Sequence, residues 1–308
     1  MSKFSLDQIR GVIPAMLTVF DEDERLSEAK MRALTRHLLR YDIGGLYLTG
    51  STGEGFMMTS EERMAAVEAV IDEVRGRVPV IVHVGAISTR ASADLARHAA
   101  AAGADAISSV PPIYWKFSDD GIAGYYADLV QASGLPMIVY NIALAGLVSF
   151  DMIRRLGAID GVDGIKYTAA THYDLPRIKQ ALGEDFMIYS GADEMAASGL
   201  TFGADGLIGS TYNLIADVLV KLCAAHAEGR ARDMEQLQLV ANRVIFALLE
   251  YDLMPALKLC LTFMGVDAGV SRRPFTRYDA AQAAAMRARF ELLKAQMAGA
   301  EVDFLNAL

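Results

Sequence analysis

Lys166 is the residue whose type and setting most invite chemistry. It stands in GVDGIKYTAATHYD, residues 161–174, where Val162, Gly164 and Ile165 read as the end of a buried strand. An ammonium at that depth is costly unless it has a partner or a task. Desolvation disfavours the charged form of such an amine, and a neutral amine is a nucleophile that forms a Schiff base with a ketone. The plainer alternatives are a lysine that snorkels to water or one that pairs with a carboxylate. Tyr140, at the end of the preceding strand-like run, shifts the balance towards chemistry, because a phenol beside an amine can relay protons.

Other polar groups fall at comparable places. GSTGEG (50–55) is a tight turn offering backbone N–H groups and the hydroxyls of Ser51 and Thr52, a natural grip for a carboxylate or phosphate. A plain turn with a Ser/Thr cap would look the same. GSTGEG, GADE (191–194) and GSTYN (209–213) contain no Arg or Lys, which favours a carboxylate over a phosphate. Asp193 and Glu194 could complement a helix dipole or accept hydrogen bonds from sugar hydroxyls. Tyr114-Trp115 are of a kind most often found in cores or interfaces. His37, His83, His98, His172 and His226 are scattered over different elements, and no cluster has metal-ligand spacing.

These residues need elements to carry them. Eight mostly apolar runs read as strands buried on both faces: 11–20, 44–52, 78–86, 104–112, 135–142, 162–168, 186–193 and 204–211. Helical stretches lie between them. Ser27 and Ser118 open two, and Thr59 with Glu62 has the spacing of a capping box. Gly-Ala-Asp recurs at 103–105 and 203–205, as a helix end and turn of a repeated unit would. Eight such units over residues 1–230 predict a (β/α)8 TIM barrel. A doubly wound sheet is the competitor, but no GxGxxG follows the first run. Residues 231–250, 254–264 and 277–297 predict a C-terminal three-helix extension, within a single domain spanning 1–308. Active sites of such barrels occupy the C-terminal strand ends, where Ser51, Tyr114, Tyr140, Lys166, Asp193 and Ser210 all fall.

Composition narrows the partners. The 308 residues are 53% hydrophobic with a net charge of −9, which disfavours nucleic acid and anionic membranes. No apolar run approaches the ~20 residues of a membrane span. The first residues lack a signal pattern, so a cytoplasmic protein is expected. Cys223 and Cys260 read as buried, reduced thiols.

Taken together, GSTGEG, VYNI (139–142), GIKYT, SGADE and GADGLIGSTYN resemble the N-acetylneuraminate lyase and dihydrodipicolinate synthase family of pyruvate-handling class I aldolases. The likeness spans essentially the whole chain, from GVIPAMLTVF to SRRPF. It implies a homotetramer (a dimer of dimers), a small 2-keto acid as substrate, and neither cofactor nor metal beyond the lysine Schiff base. By position Lys166 matches the Schiff-base lysine and Tyr140 the proton-transferring tyrosine. Ser51 and Thr52 match the residues that hold the pyruvyl carboxylate, and Ile208 lies near the pyruvate. Tyr114 resembles a tyrosine that reaches into a neighbouring subunit's site. Asp193, Glu194 and Ser210, with Thr168 and Gly191, correspond to the substrate-binding set of the sialic acid lyases.

Within the family, synthases of dihydrodipicolinate place an arginine shortly after the YN of the fifth strand. Residues 142–150 here, IALAGLVSF, contain none. The usual proline after YNI is also missing, with Ala143 in its place and a shorter loop. The resemblance thus implies a lyase acting on a 2-keto-3-deoxy sugar acid, with N-acetylneuraminate foremost. Dihydrodipicolinate synthase, another keto sugar acid aldolase or dehydratase, and a catalytically silent keto-acid-binding protein are the alternatives.

Overall fold

The computed structural model describes residues 3–308. Among them, eight parallel strands alternate with helices: β1 (Gly11–Pro14), α1 (Glu28–Leu38), β2 (Leu46–Leu48), α2 (Ser60–Val74), β3 (Val80–His83), α3 (Thr89–Ala102), β4 (Ala106–Ser109), α4 (Asp119–Ser133), β5 (Met137–Ile142), α5 (Phe150–Gly157), β6 (Val162–Thr168), α6 (Asp174–Leu182), β7 (Met187–Ser190), α7 (Ala196–Thr201), β8 (Gly206–Gly209) and α8 (Tyr212–Ala227). The strand order is β1-β8-β7-β6-β5-β4-β3-β2. A bridge between Ala15 and Tyr47, with the Met16 N–H donating to the Tyr47 carbonyl at 2.8 Å, closes the ring. This is the (β/α)8 barrel that the alternating pattern predicted.

Every second residue of a strand faces the barrel axis, and the two apolar clusters follow that parity. Ile13, Tyr47, Ile81, Ala106, Ile138, Tyr140, Tyr189 and Ile208 fill the interior. Val12, Leu46, Leu48, Val82, Ile107, Val139, Ile165 and Leu207 pack outward under the helices. The strands are shorter than the apolar runs that announced them. Met16, Leu17, Val19 and Phe20 are buried yet lie beyond β1, because the connecting segments also pack on the core.

The local signals act as read. Thr59 accepts from the Glu62 N–H while Glu62 returns a bond to the Thr59 N–H, a cap that stabilises by about 1 kcal/mol. Ser118 caps α4 through the Gly121 N–H. The two Gly-Ala-Asp segments do the same work twice. Gly103 and Gly203 take φ of +97° and +93° to end their helices. Asp105 then accepts the Val80 N–H at 2.9 Å, and Asp205 accepts the Ile188 N–H at 2.8 Å. Each carboxylate thereby ties its own turn to the strand before it, at the N-terminal end of the barrel strands.

Beyond the barrel lie α9 (Ala231–Leu248), α10 (Leu253–Phe263) and α11 (Ala280–Gln296), as expected, and a fourth helix, α12 (Asp303–Asn306). Four residues are too short for a periodic signal, so α12 was not legible beforehand. No helix among the described residues is long and apolar enough to cross a membrane. Cys223 and Cys260 are both unpaired thiols, which burial pushes above the usual range.

Candidate active site

Strand parity decides what meets at the mouth. Along β6, Ile165 and Tyr167 pack outward, which leaves Gly164, Lys166 and Thr168 on the inward row. Along β5, Val139 packs outward and Tyr140 inward. The β5–β6 register sets Tyr140 directly beside Lys166. The Lys166 Nζ lies 4.0 Å from the centre of the Tyr140 ring and 4.6 Å from that of Tyr47. Lys166 is only 4% exposed. Two other buried lysines, Lys179 and Lys258, are paired with Asp205 and Glu54. Among the described residues Lys166 has no such carboxylate and is met by aromatic faces, so neither the snorkelling nor the ion-paired alternative describes it.

The aromatic setting is built from below. Tyr47 donates to the Ser108 hydroxyl at 3.1 Å, and Ser108 donates to the Ile138 carbonyl at 2.8 Å. Burial, reinforced by Tyr140, holds the Tyr47 phenol well above its ordinary range, so it stays protonated. His83 stands edge-on to Tyr140 at 6.1 Å, and burial with the nearby Arg63 and Lys166 holds its imidazole neutral. Its Nε2 accepts the Val110 N–H at 3.3 Å. Tyr140 is thus flanked by Tyr47, His83 and Lys166, with its ring orientation fixed by three neighbours.

The Gly50–Gly55 loop follows β2. It is pinned by the Gly55 N–H to the Gly50 carbonyl (3.0 Å) and by the Thr18 hydroxyl to the Gly53 carbonyl (2.6 Å). Thr52 shares a 2.6 Å hydrogen bond with Ser210 across the mouth. Among the described residues no protein acceptor meets the backbone N–H of Ser51 or Thr52. Free backbone donors in a tight turn suit a small anion, and the cation that meets this loop, Lys258, is taken up by Glu54.

Reached from Lys166 through Thr168 and Gly191, a cavity of about 390 Å³ is lined by Thr168, the 191–195 segment, Ser210 and Thr211, with neither Lys166 nor Tyr140 in the lining. Gly191 is required there: a Cβ would strike the Thr168 hydroxyl at 1.9 Å and approach the Lys166 Cε at 3.1 Å. Asp193 is buried and accepts from the Thr211 N–H (2.8 Å) and hydroxyl (2.7 Å). Burial pushes its carboxyl up to about 6 against those two bonds and the pull of Lys166. Glu194 is exposed. The buried Thr168 hydroxyl has no partner among the described residues. The lining contains no Arg or Lys, so the cavity offers acceptors and hydroxyls to a neutral, hydroxyl-rich tail and repels an anionic one.

The structure brings Lys166, Tyr140, Thr168, Gly191, Asp193, Ser210 and Thr52 to one mouth, with Ser51 on the adjoining loop. Ile208 pairs with Ile13 in register and is buried in the barrel interior. Tyr114 is placed otherwise. It is 85% exposed, takes a φ of +81°, and packs edge-on against Trp115 at 4.6 Å, outside its own chain's cavity.

Several contributors escaped the sequence. Tyr47 lies between Leu46 and Leu48 of β2, where a tyrosine reads as packing, and strand parity is the one signal that turns it inward. Ile245, Leu249 and Leu253 of the C-terminal helices form one cavity wall. Gln238 of α9 donates to the Asp193 carbonyl at 3.2 Å and accepts the Ala197 N–H at 2.7 Å, while Asn242 donates to the Glu194 carbonyl at 3.1 Å. No local pattern signals such distant pairs.

Residues 8–292 match the dihydrodipicolinate synthetase family. The chain is 38% identical over 282 residues to an N-acetylneuraminate lyase of Rhizobium meliloti, covering 91% of this chain and 94% of that protein. It is 40% identical over 275 residues to an N-acetylneuraminate lyase of Citrobacter koseri, covering 88% and 92%. Among solved structures it is similar to the wild-type sialic acid aldolase of Ruminococcus gnavus, with a TM-score of 0.90 at 28% identity, over 97% of this chain and 98% of that one.

Proposed function

This chain belongs to the dihydrodipicolinate synthetase family, and from that premise we propose that it is a class I aldolase splitting a 2-keto-3-deoxy sugar acid, N-acetylneuraminate foremost, into pyruvate and an aldehyde. The observation that carries this reading is the inward pair of neighbouring strands, Tyr140 and Lys166, 4.0 Å from ring centre to amine.

The Lys166 amine adds to the C2 ketone, and uptake of one proton with loss of water gives a protonated imine. Tyr140 accepts the C4 hydroxyl proton as the C3–C4 bond breaks; the bonding electrons flow into the imine to give an enamine and release the aldehyde. Protonation at C3 and hydrolysis return pyruvate and the free lysine. Ser51 and Thr52 hold the carboxylate so that the ketone lies near the amine. Asp193, Glu194, Ser210 and Thr168 receive the hydroxylated tail, and Gly191 keeps room above the lysine stem. No cofactor enters the scheme.

A dihydrodipicolinate synthase would need a cation for its second substrate's carboxylate. Neither the tail cavity nor residues 142–150 supplies one. Within the same proposal the chain is one domain, since the C-terminal helices supply part of the cavity wall, and it acts in the cytoplasm. Assembly as a homotetramer draws support from Tyr114, an exposed aromatic held in a left-handed backbone outside its own site. Light scattering tests the assembly.

The function is tested by offering keto acids in parallel and measuring pyruvate release, with and without a chelator. N-acetylneuraminate should be cleaved at a rate a chelator does not change. Absence of pyruvate from every sugar acid would leave a silent binding protein, and condensation of pyruvate with an amino-aldehyde acid would leave the synthase.

A further inference from the structure

One buried ion pair joins the C-terminal extension to the loop that carries Ser51 and Thr52. Lys258 lies on α10, yet its ammonium sits 2.7 Å from Glu54 Oε1, across 204 residues of sequence. Their side chains are 1% and 0% exposed. The remaining contacts leave no slack. Glu54 Oε2 accepts the Arg272 N–H at 2.9 Å, and Lys258 also donates to the Val270 carbonyl at 2.7 Å. The Arg272 guanidinium binds Glu62 and the Met57 carbonyl, and both cations lie over the Phe20 ring, at 4.8 Å for Lys258 and 4.3 Å for Arg272.

Stability does not account for the pair. Two charges so buried often do no more than break even with apolar side chains of the same size. Burial pushes the Lys258 amine down to about 8 even with Glu54 beside it. Glu54 also holds a left-handed backbone, φ +52°, which is unfavourable for a residue with a Cβ. Such a conformation persists only where its surroundings over-determine it. The beneficiary is the turn, in which Glu54 stands two residues after Thr52 and donates its own N–H to the Ser51 carbonyl at 3.1 Å.

We propose that Glu54 and Lys258 are positioning residues for the substrate's carboxylate: through this pair the C-terminal extension holds the turn that aims Ser51 and Thr52. The inference rests on reading that turn as the carboxylate grip. It makes the extension a working part of the barrel mouth, acting through the loop without touching substrate.

The test compares two ketones that differ only at the gripped group, pyruvate and its neutral amide. The half-saturating concentration of each is measured by borohydride trapping on Lys166 and read by mass. Wild type should trap pyruvate at the lower concentration. Lys258→Met should narrow that preference by on the order of tenfold by weakening pyruvate while leaving the amide nearly unchanged. Lys258→Met strands a buried carboxylate and can fail to fold, so Glu54→Gln/Lys258→Met, with no charge left to strand, is measured alongside. Folded double variant with the narrowed preference supports the assignment. Retention of the wild-type preference, or equal weakening of both ketones, overturns it. A wild type that does not distinguish the ketones refutes the carboxylate grip itself, a separate failure.

Discussion

Replacing Lys166 by methionine separates what the side chain costs from what it does. Lys166 is 4% exposed, and aromatic faces rather than a carboxylate meet it among the described residues. An ion buried this way costs several kcal/mol after relaxation. Two desolvated contacts with aromatic rings return about 2 kcal/mol each. Against a burial cost of roughly 5–7 kcal/mol, a deficit of about 1–3 kcal/mol remains with the ammonium. Methionine has a similar length, no charge and the adaptability to fill the same channel. Lys166→Met should thus be more stable than wild type by roughly 1–3 kcal/mol, read as a higher urea midpoint at unchanged slope, while sugar acid cleavage falls below detection. This is the signature of a side chain kept for chemistry at the expense of stability. A variant destabilised by ~2 kcal/mol or more, or one that still cleaves, would refute the reasoning, because Lys166 would then be holding the barrel together or be dispensable.

Tyr140→Phe should lower turnover by about 10²- to 10⁴-fold, the range of a lost proton-transfer group, while borohydride with pyruvate still labels the protein; equal loss of labelling would place Tyr140 in imine formation instead. Asp193 makes a pH prediction. Its folded carboxyl titrates near 6 against 3.8 in the unfolded chain. Between those values the folded protein holds a proton that the unfolded chain has released, so this group's contribution to stability falls as pH rises from about 4 to 6, by roughly 3 kcal/mol in all. Asp193→Asn should remove that slope in denaturant titrations, and a pH-independent difference between the two proteins would contradict the assignment. Gln238→Ala should raise KM for the sugar acid several-fold with little change in pyruvate trapping, because it frees the Asp193 turn and not the lysine. Equal weakening of both would show that α9 supports the whole mouth.

The parts of this site that were legible beforehand are those whose signal is local. Lys166 stood out because an amine in an apolar run is expensive, and Tyr140 because it ends the neighbouring strand-like run, where a phenol beside an amine can relay protons. The barrel followed from eight buried runs and from Gly-Ala-Asp, where glycine conformation and aspartate capping are both short-range effects. The strand ends were not legible, since Met16 to Phe20 are as buried in a connecting segment as they would be in a strand. Tyr47 was hidden for a related reason, as a tyrosine between two leucines looks like packing until the barrel closes around it. Contacts across long separations left no trace at all. Glu54 with Lys258, and Gln238 with Asp193, are set by where α10 and α9 dock. Tyr114 carried a role only through its family likeness, and within one chain it points away from the cavity.

The whole reading turns on covalent capture by one amine, and reductive trapping tests that most directly. Protein incubated with pyruvate and borohydride should gain the mass of one reduced pyruvyl group, carried on the peptide containing Lys166 and missing from Lys166→Met. An unchanged mass, or a label on any other lysine, would contradict it.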